Sequence, residues 1–119
     1  MTLFDKIVNW NEERGLLDKG FNHFNEFNIL NEEVDEFKES TTDDQRVDAL
    51  CDIIVVAVGS LRKLGYEPDV ALEETVKEIS SRVGSINWAT GKWEKDLSTQ
   101  AKAKWYKADY SKAKLNFDS

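Results

Sequence analysis

Asp48-Ala49-Leu50-Cys51-Asp52-Ile53-Ile54-Val55-Val56-Ala57-Val58 decides the fold, because two acids one helical turn apart run straight into six consecutive apolar residues. Extended by Val47 and Leu61, the stretch repeats Val47, Leu50, Cys51, Ile54, Val58 and Leu61 at helical spacing, and residues 53–58 are apolar nearly all round. A helix of that kind, read over 43–64, belongs in the centre of a bundle. Immediately upstream, Ser40-Thr41-Thr42-Asp43-Asp44 ends one helix and caps the next, since Ser, Thr and Asp side chains accept from the free amides of a first turn. The preceding helix, over 22–40, sets Phe24, Phe27, Leu30, Val34 and Phe37 at steps of three and four, a core-facing stripe, and the tight connection makes the two helices antiparallel. A first helix over 2–17 carries Leu3, Ile7, Trp10 and Leu17, with Gly15 and Gly20 bracketing its end. Downstream, Gly65 closes the central helix and Pro68 suits the first turn of a fourth, on which Leu72, Val76, Ile79 and Val83 repeat at four, three and four.

Beyond Gly84 the periodicity collapses. Residues 85–119 hold three of the four tryptophans and seven lysines, which predicts an ordered but irregular tail with a turn at Ala89-Thr90-Gly91. The expectation is an all-α protein: one domain over 1–119, a four-helix body over 2–84 and a basic aromatic tail over 85–119. The second and third helices carry more apolar stripe than four helices cover, so the bundle is expected to assemble as a homodimer or homotetramer.

At 119 residues the chain fits one domain, and its net charge of −7 is unevenly placed. Residues 1–85 carry 9 basic and 19 acidic side chains and residues 86–119 carry 7 and 4, giving −10 and +3. An acidic body argues against binding a nucleic-acid polymer, whose phosphates it repels, but clustered carboxylates attract divalent cations and a basic tail reaches phosphates. The apolar run is far short of a membrane span and no basic-then-apolar leader is present, so a cytoplasmic, membrane-free location is expected. A single cysteine forms no internal disulfide; Cys51, on the apolar helix, is expected to be a small core residue.

The chemically loaded residues are Glu32-Glu33-Val34-Asp35-Glu36 on the second helix and Asp48 and Asp52 on the third. At 100° per residue, Glu32 and Glu36 lie about 40° apart, Glu33 and Glu36 about 60°, and Asp48 and Asp52 about 40°. Each set forms one acidic edge beside an apolar stripe, and a hairpin near Thr42 brings the two edges to similar height. Carboxylates at such a margin repel one another and are desolvated unless a cation neutralises them. The combination points to a four- or five-carboxylate cage for a hard ion such as Mg²⁺. The Glu32, Glu33 and Glu36 motif alone reads equally as a solvated acidic face, and the Asp48 and Asp52 pair alone is a weaker signal still. A di-iron site needs Glu-x-x-His pairs, and His23, the one histidine, belongs to no such motif and is expected at a helix start or on the surface. No P-loop, GxSxG or dinucleotide-binding glycine pattern occurs.

At these residues the sequence resembles the all-α nucleoside triphosphate pyrophosphohydrolases, the MazG-like superfamily that also holds the dimeric dUTPases and the phosphoribosyl-ATP pyrophosphohydrolase. The likeness runs through four ordered blocks: Trp10-Asn11-Glu12-Glu13-Arg14-Gly15-Leu16; the EExxE pattern of Glu32, Glu33 and Glu36; Asp48 to Val56; and Glu78 to Gly84 followed by Gly91-Lys92-Trp93-Glu94-Lys95-Asp96. Ala49 stands where the second motif often has glutamate, so Asp48 stands in for it, and Cys51 replaces a small Gly or Ala. The stretch from Trp105 to Lys112 resembles tails of some phage-borne relatives.

The resemblance implies Mg²⁺-dependent, or Mn²⁺-dependent, hydrolysis of the α–β phosphate bond of an NTP or dNTP to NMP and pyrophosphate. It assigns Glu33, Glu36, Asp48 and Asp52 as metal ligands and Glu32 as the carboxylate that orients the attacking water. Arg82, Lys92 and Lys95 are the phosphate contacts. Trp10, Trp88, Trp93 and Tyr106 are candidates to stack on a base, the alternative being core or subunit interface, and Asn25, Asn28 and Asn31 are candidates to read a base edge. Two other classes remain open: a helical protein that binds metal and nucleotide without turnover, and an interaction module whose acids are only a surface.

Overall fold

The computed structural model describes residues 1–115; the last four residues of the tail lie outside the described part. Four long helices account for most of it: α1 (Leu3–Glu13), α2 (His23–Glu39), α3 (Asp43–Lys63) and α4 (Pro68–Ser80). Their ends follow the capping chemistry of the sequence. Thr2 and Thr42 each close a capping box, with Asp5 and Gln45, and Asn22 caps α2 by accepting from the Asn25 amide. The expected first helix is shorter than its stripe: it stops at Glu13, and Leu17–Lys19 forms a 3₁₀ turn between Gly15 and Gly20, both at positive φ. Pro68 opens α4 and Gly65, at φ 98°, precedes it.

The chain divides into two compact units, residues 1–68 with Leu115 and residues 69–114. In the first, α3 is the central element, in contact with both α2 and α1. Ala49, Val58 and Gly59 of α3 are buried, and Gly59 permits the approach of α1: a Cβ there would meet Asn11 Oδ1 at 3.2 Å. Asn11 is itself buried and donates from Nδ2 to the Ile7 carbonyl at 2.9 Å. Leu115 joins this unit by donating its N–H to Gly65 O at 2.8 Å.

The apolar stripe read as core-facing on α2 is not covered within the chain. Phe24 is 76% exposed, Phe27 57% and Val34 47%, and on α3 Val47, Leu50 and Ile54 are exposed as well. Cys51 lies on that same open face, which corrects its expected place in the core. The physical reason is rotational. α2 turns Glu26 and Glu33, seven residues apart, toward Ser60, Lys63 and Asp52 of α3 and leaves the phenylalanines outside.

In the second unit the tail is more regular than expected, so all-α becomes mostly helical with a small sheet. Strands β1 (Gly84–Asn87) and β2 (Lys92–Lys95) pair antiparallel, Ile86 opposite Trp93, around the anticipated turn, where Gly91 has φ 73°. Gly84 has no room for a side chain: a Cβ would run into the Glu94 carbonyl and the Trp93 ring. A short helix α5 (Thr99–Lys102) and a 3₁₀ turn at Tyr110–Ala113 follow. The segment between them is held along α4. Glu74, 1% exposed, accepts from Tyr106 Oη, from the Asp109 amide at 3.0 Å and from Lys77 Nζ at 3.1 Å. Tyr106 N–H donates to Ser81 Oγ at 2.7 Å and Ala108 N–H to Glu78 at 3.1 Å. These donors, Tyr106 foremost and Asp109 next, hold the Glu74 carboxyl well below its usual range, at about 2.

Candidate functional site

Three of the acids meet between α2 and α3. One carboxylate oxygen each of Glu33, Glu36 and Asp52 lies within 4.8 Å of the others. Burial raises the Glu33 carboxyl above its ordinary value, and a hydrogen bond shared with Glu36 and the charges of Glu36, Asp52 and Glu32 push it the same way. Asp52 is raised first by burial, then by Asp48 and Glu36. Glu33 Oε2 is buried without a hydrogen-bond partner, an orphaned acceptor that ordinarily calls for a proton or a cation. An all-oxygen, multiply acidic donor set of this kind fits a hard divalent ion, Mg²⁺ or Mn²⁺, rather than a soft one.

The carboxylates Glu33 and Asp52 also belong to a pocket of about 400 Å³ in the first unit. Its walls are Trp10, Leu16, Ile29, Val55 and Val56, and its polar lining includes Asn11, Glu26 and Lys63. Glu26, buried at 6% exposure, accepts from Ser60 Oγ at 2.7 Å and from Lys63 Nζ at 3.2 Å. An apolar slot with a few fixed polar groups at one end and a carboxylate cluster at the other has the composition of a small-molecule site.

The residues singled out from sequence divide as follows. Asp48 is exposed and outside the group of three, yet close enough for its charge to raise Asp52; with Glu36 it lines an adjoining hollow of about 250 Å³. Glu32 is exposed and also outside the three, acting on Glu33 through its charge. Trp10 lines the pocket with the Arg14 guanidinium 4.2 Å from its ring centroid. Asn28 is exposed and is not among the lining residues, as are Asn25 and Asn31. Trp93, Arg82, Lys92 and Lys95 all belong to the second unit, and Trp88, 90% exposed, sits in the hairpin turn.

Sequence reading passed over Asn11, Glu26, Ser60 and Lys63. A signal existed: Glu26 precedes Glu33 by seven residues, and Gly59 and Lys63 follow Asp52 by seven and eleven, so each lies on the inner line of its helix. The larger aromatic stripe one step away drew the reading instead. Comparison with protein families, with curated proteins and with solved structures finds no match to the chain.

Proposed function

We propose that the chain is a Mg²⁺-dependent nucleoside triphosphate pyrophosphohydrolase of the MazG-like kind, cleaving the α–β phosphate bond of an NTP or dNTP to NMP and pyrophosphate. The observation that carries the reading is the junction of a three-carboxylate cluster, one of whose oxygens is buried and unpartnered, with a pocket of about 400 Å³ that suits a nucleoside. Glu33, Glu36 and Asp52 hold the ion in this reading, with Asp48 beside them, and Mn²⁺ is the substitute. Mg²⁺ at this position supplies neutralisation of the phosphate oxygens as pyrophosphate leaves. Glu32, one turn before Glu36, orients the attacking water and takes up its proton. Trp10 and the aliphatic wall pack against the base, and Asn11 with the Glu26–Lys63 pair presents the polar groups at the pocket.

The protein works as a homo-oligomer in this reading. Phe24, Phe27, Val34, Phe37, Val47, Leu50 and Ile54 are all exposed. Together they present roughly 700 Å² of apolar side chain, close to the ~800 Å² per partner of a standard interface. Such a patch exceeds what a lone soluble domain ordinarily exposes.

A panel of ribo- and deoxyribonucleoside triphosphates incubated with Mg²⁺, with products separated by chromatography, tests the activity. NMP with pyrophosphate is the expected result. NDP with phosphate would transfer the site to a different hydrolysis, and silence on every substrate would leave a protein that binds without turnover.

A further inference from the structure

We infer that the second unit carries an anion site centred on Trp105, which takes a phosphate or oligophosphate group. Three cations from three separate stretches converge on one indole. The Arg82 guanidinium carbon lies 5.3 Å from the ring centroid, Lys95 Nζ 5.4 Å and Lys102 Nζ 5.9 Å. Arg82 follows α4, Lys95 ends β2 and Lys102 ends α5, so folding rather than sequence adjacency gathers them.

The charges there do not balance. Among the described residues the one carboxylate in ion-pair contact with any of the three is Glu78, 3.6 Å from Arg82 Nη2. Glu94, next to Lys95, is spoken for on the opposite face of the hairpin, where Asn87 Nδ2 donates to it at 2.9 Å. Asp96, next to Lys95, accepts from the Ser98 amide at 2.8 Å, which holds its carboxyl below the usual range and keeps it ionised. Three positive groups, with Glu78 paired to Arg82 and Asp96 beside Lys95 in the chain, leave a local excess of one, which an anion relieves. Two donors point the same way: Arg82 Nε and Trp105 Nε1 are both buried without an acceptor.

The chemistry selects a compact, multiply charged oxyanion. A guanidinium fork and two ammonium groups match several oxygens on one centre. Cations already cover the indole, so it is not a platform for stacking a base. The cluster is confined to one spot, without the continuous basic stripe that a nucleic-acid backbone requires. Lys92 shares the opposite hairpin face with Glu94 by strand alternation, so the phosphate contacts anticipated from sequence separate: Arg82 and Lys95 belong to the site, Lys102 and Trp105 join it, and Lys92 does not. The site lies within the second unit and stands apart from the proposed activity; anion binding is measured without metal and without turnover.

The experiment is a ¹H–¹⁵N titration of the full chain with tripolyphosphate in EDTA. It follows the indole N–H resonance of Trp105, assigned by its loss in Trp105→Phe. A saturable shift of that resonance is expected, with affinity lowered about tenfold in Lys95→Ala and in Lys102→Ala and unchanged in Lys92→Ala. All three lysines are exposed, so the variants should retain the wild-type spectrum elsewhere. The inference fails if the Trp105 resonance stays still, if all four indoles drift alike as ionic strength rises, or if the saturable shift survives Lys95→Ala/Lys102→Ala. A shift at Trp105 with no hydrolysis of any nucleotide sinks the proposed activity alone, and hydrolysis with no shift sinks this site alone.

Discussion

Glu36→Gln removes one charge from the carboxylate cluster while keeping the shape of the side chain. With ligand oxygens 4.8 Å apart or less, each ionised pair repels by about 0.9 kcal/mol at the dielectric of water, the screening suited to groups at a half-exposed margin. The substitution deletes two of the three pairs, so the metal-free protein should gain up to about 1.7 kcal/mol, roughly 5–10 °C in Tm for a chain of this size. Mg²⁺ acts unequally on the two proteins. At a hundredfold excess over Kd it should stabilise the wild type by about 2.7 kcal/mol, and the variant, having lost a ligand, by much less. The order of melting temperatures therefore reverses: the variant melts higher in EDTA and the wild type melts higher in saturating Mg²⁺. Thermal melts followed by circular dichroism, at one fixed protein concentration because association is linked to stability, read this directly. Two curves that coincide in EDTA within about 0.5 kcal/mol and ignore Mg²⁺ would refute the reasoning and return the acids to a solvated surface.

Glu74 gives a pH prediction. Its folded value of about 2 lies below the ordinary 4.5, so the stability it contributes is present above pH 4.5 and drains away as pH falls toward 2. Acid titration monitored by tyrosine and tryptophan fluorescence should show that step in the wild type and lack it in Glu74→Gln; identical titrations would remove Glu74 from the account. Gly84→Ala should cost about 1–3 kcal/mol or more, because the methyl group meets the Glu94 carbonyl and the Trp93 ring, and a wild-type melting curve would contradict the packing described. Ile54→Asp, which places a charge on the exposed α2–α3 face, should reduce the particle mass seen by light scattering to that of a monomer. If the wild type is already monomeric, the proposed assembly falls.

The boundaries around the central helix were legible in the sequence because capping is local: Ser40–Asp44, Gly65 and Pro68 act within a few residues and need no knowledge of the rest of the chain, whereas the first helix ends at Glu13, short of the expected Leu17. The pairing of Glu33 and Glu36 with Asp52 was legible for the same reason, since helical periodicity fixes which acids share an edge and a short connection fixes which edges meet. The strands were not. At four residues each and largely exposed, β1 and β2 show only Ile86 and Trp93 as a common face, too brief an alternation to distinguish from irregular tail.

Tertiary structure alone decided the rest. An apolar stripe states that a face is costly in water, not what covers it, so Phe24, Phe27 and Val34 read as core although α2 turns Glu26 and Glu33 inward. The same uncertainty misplaced Cys51, whose helix is apolar nearly all round and buries only part of its circumference. Side chains far apart in sequence carry no local mark of their meeting. Glu26 with Ser60 and Lys63, Glu74 with Tyr106, and Arg82 with Lys95, Lys102 and Trp105 are brought together only when the chain closes on itself. Charge and periodicity are properties of a segment, whereas burial and convergence are properties of the folded chain.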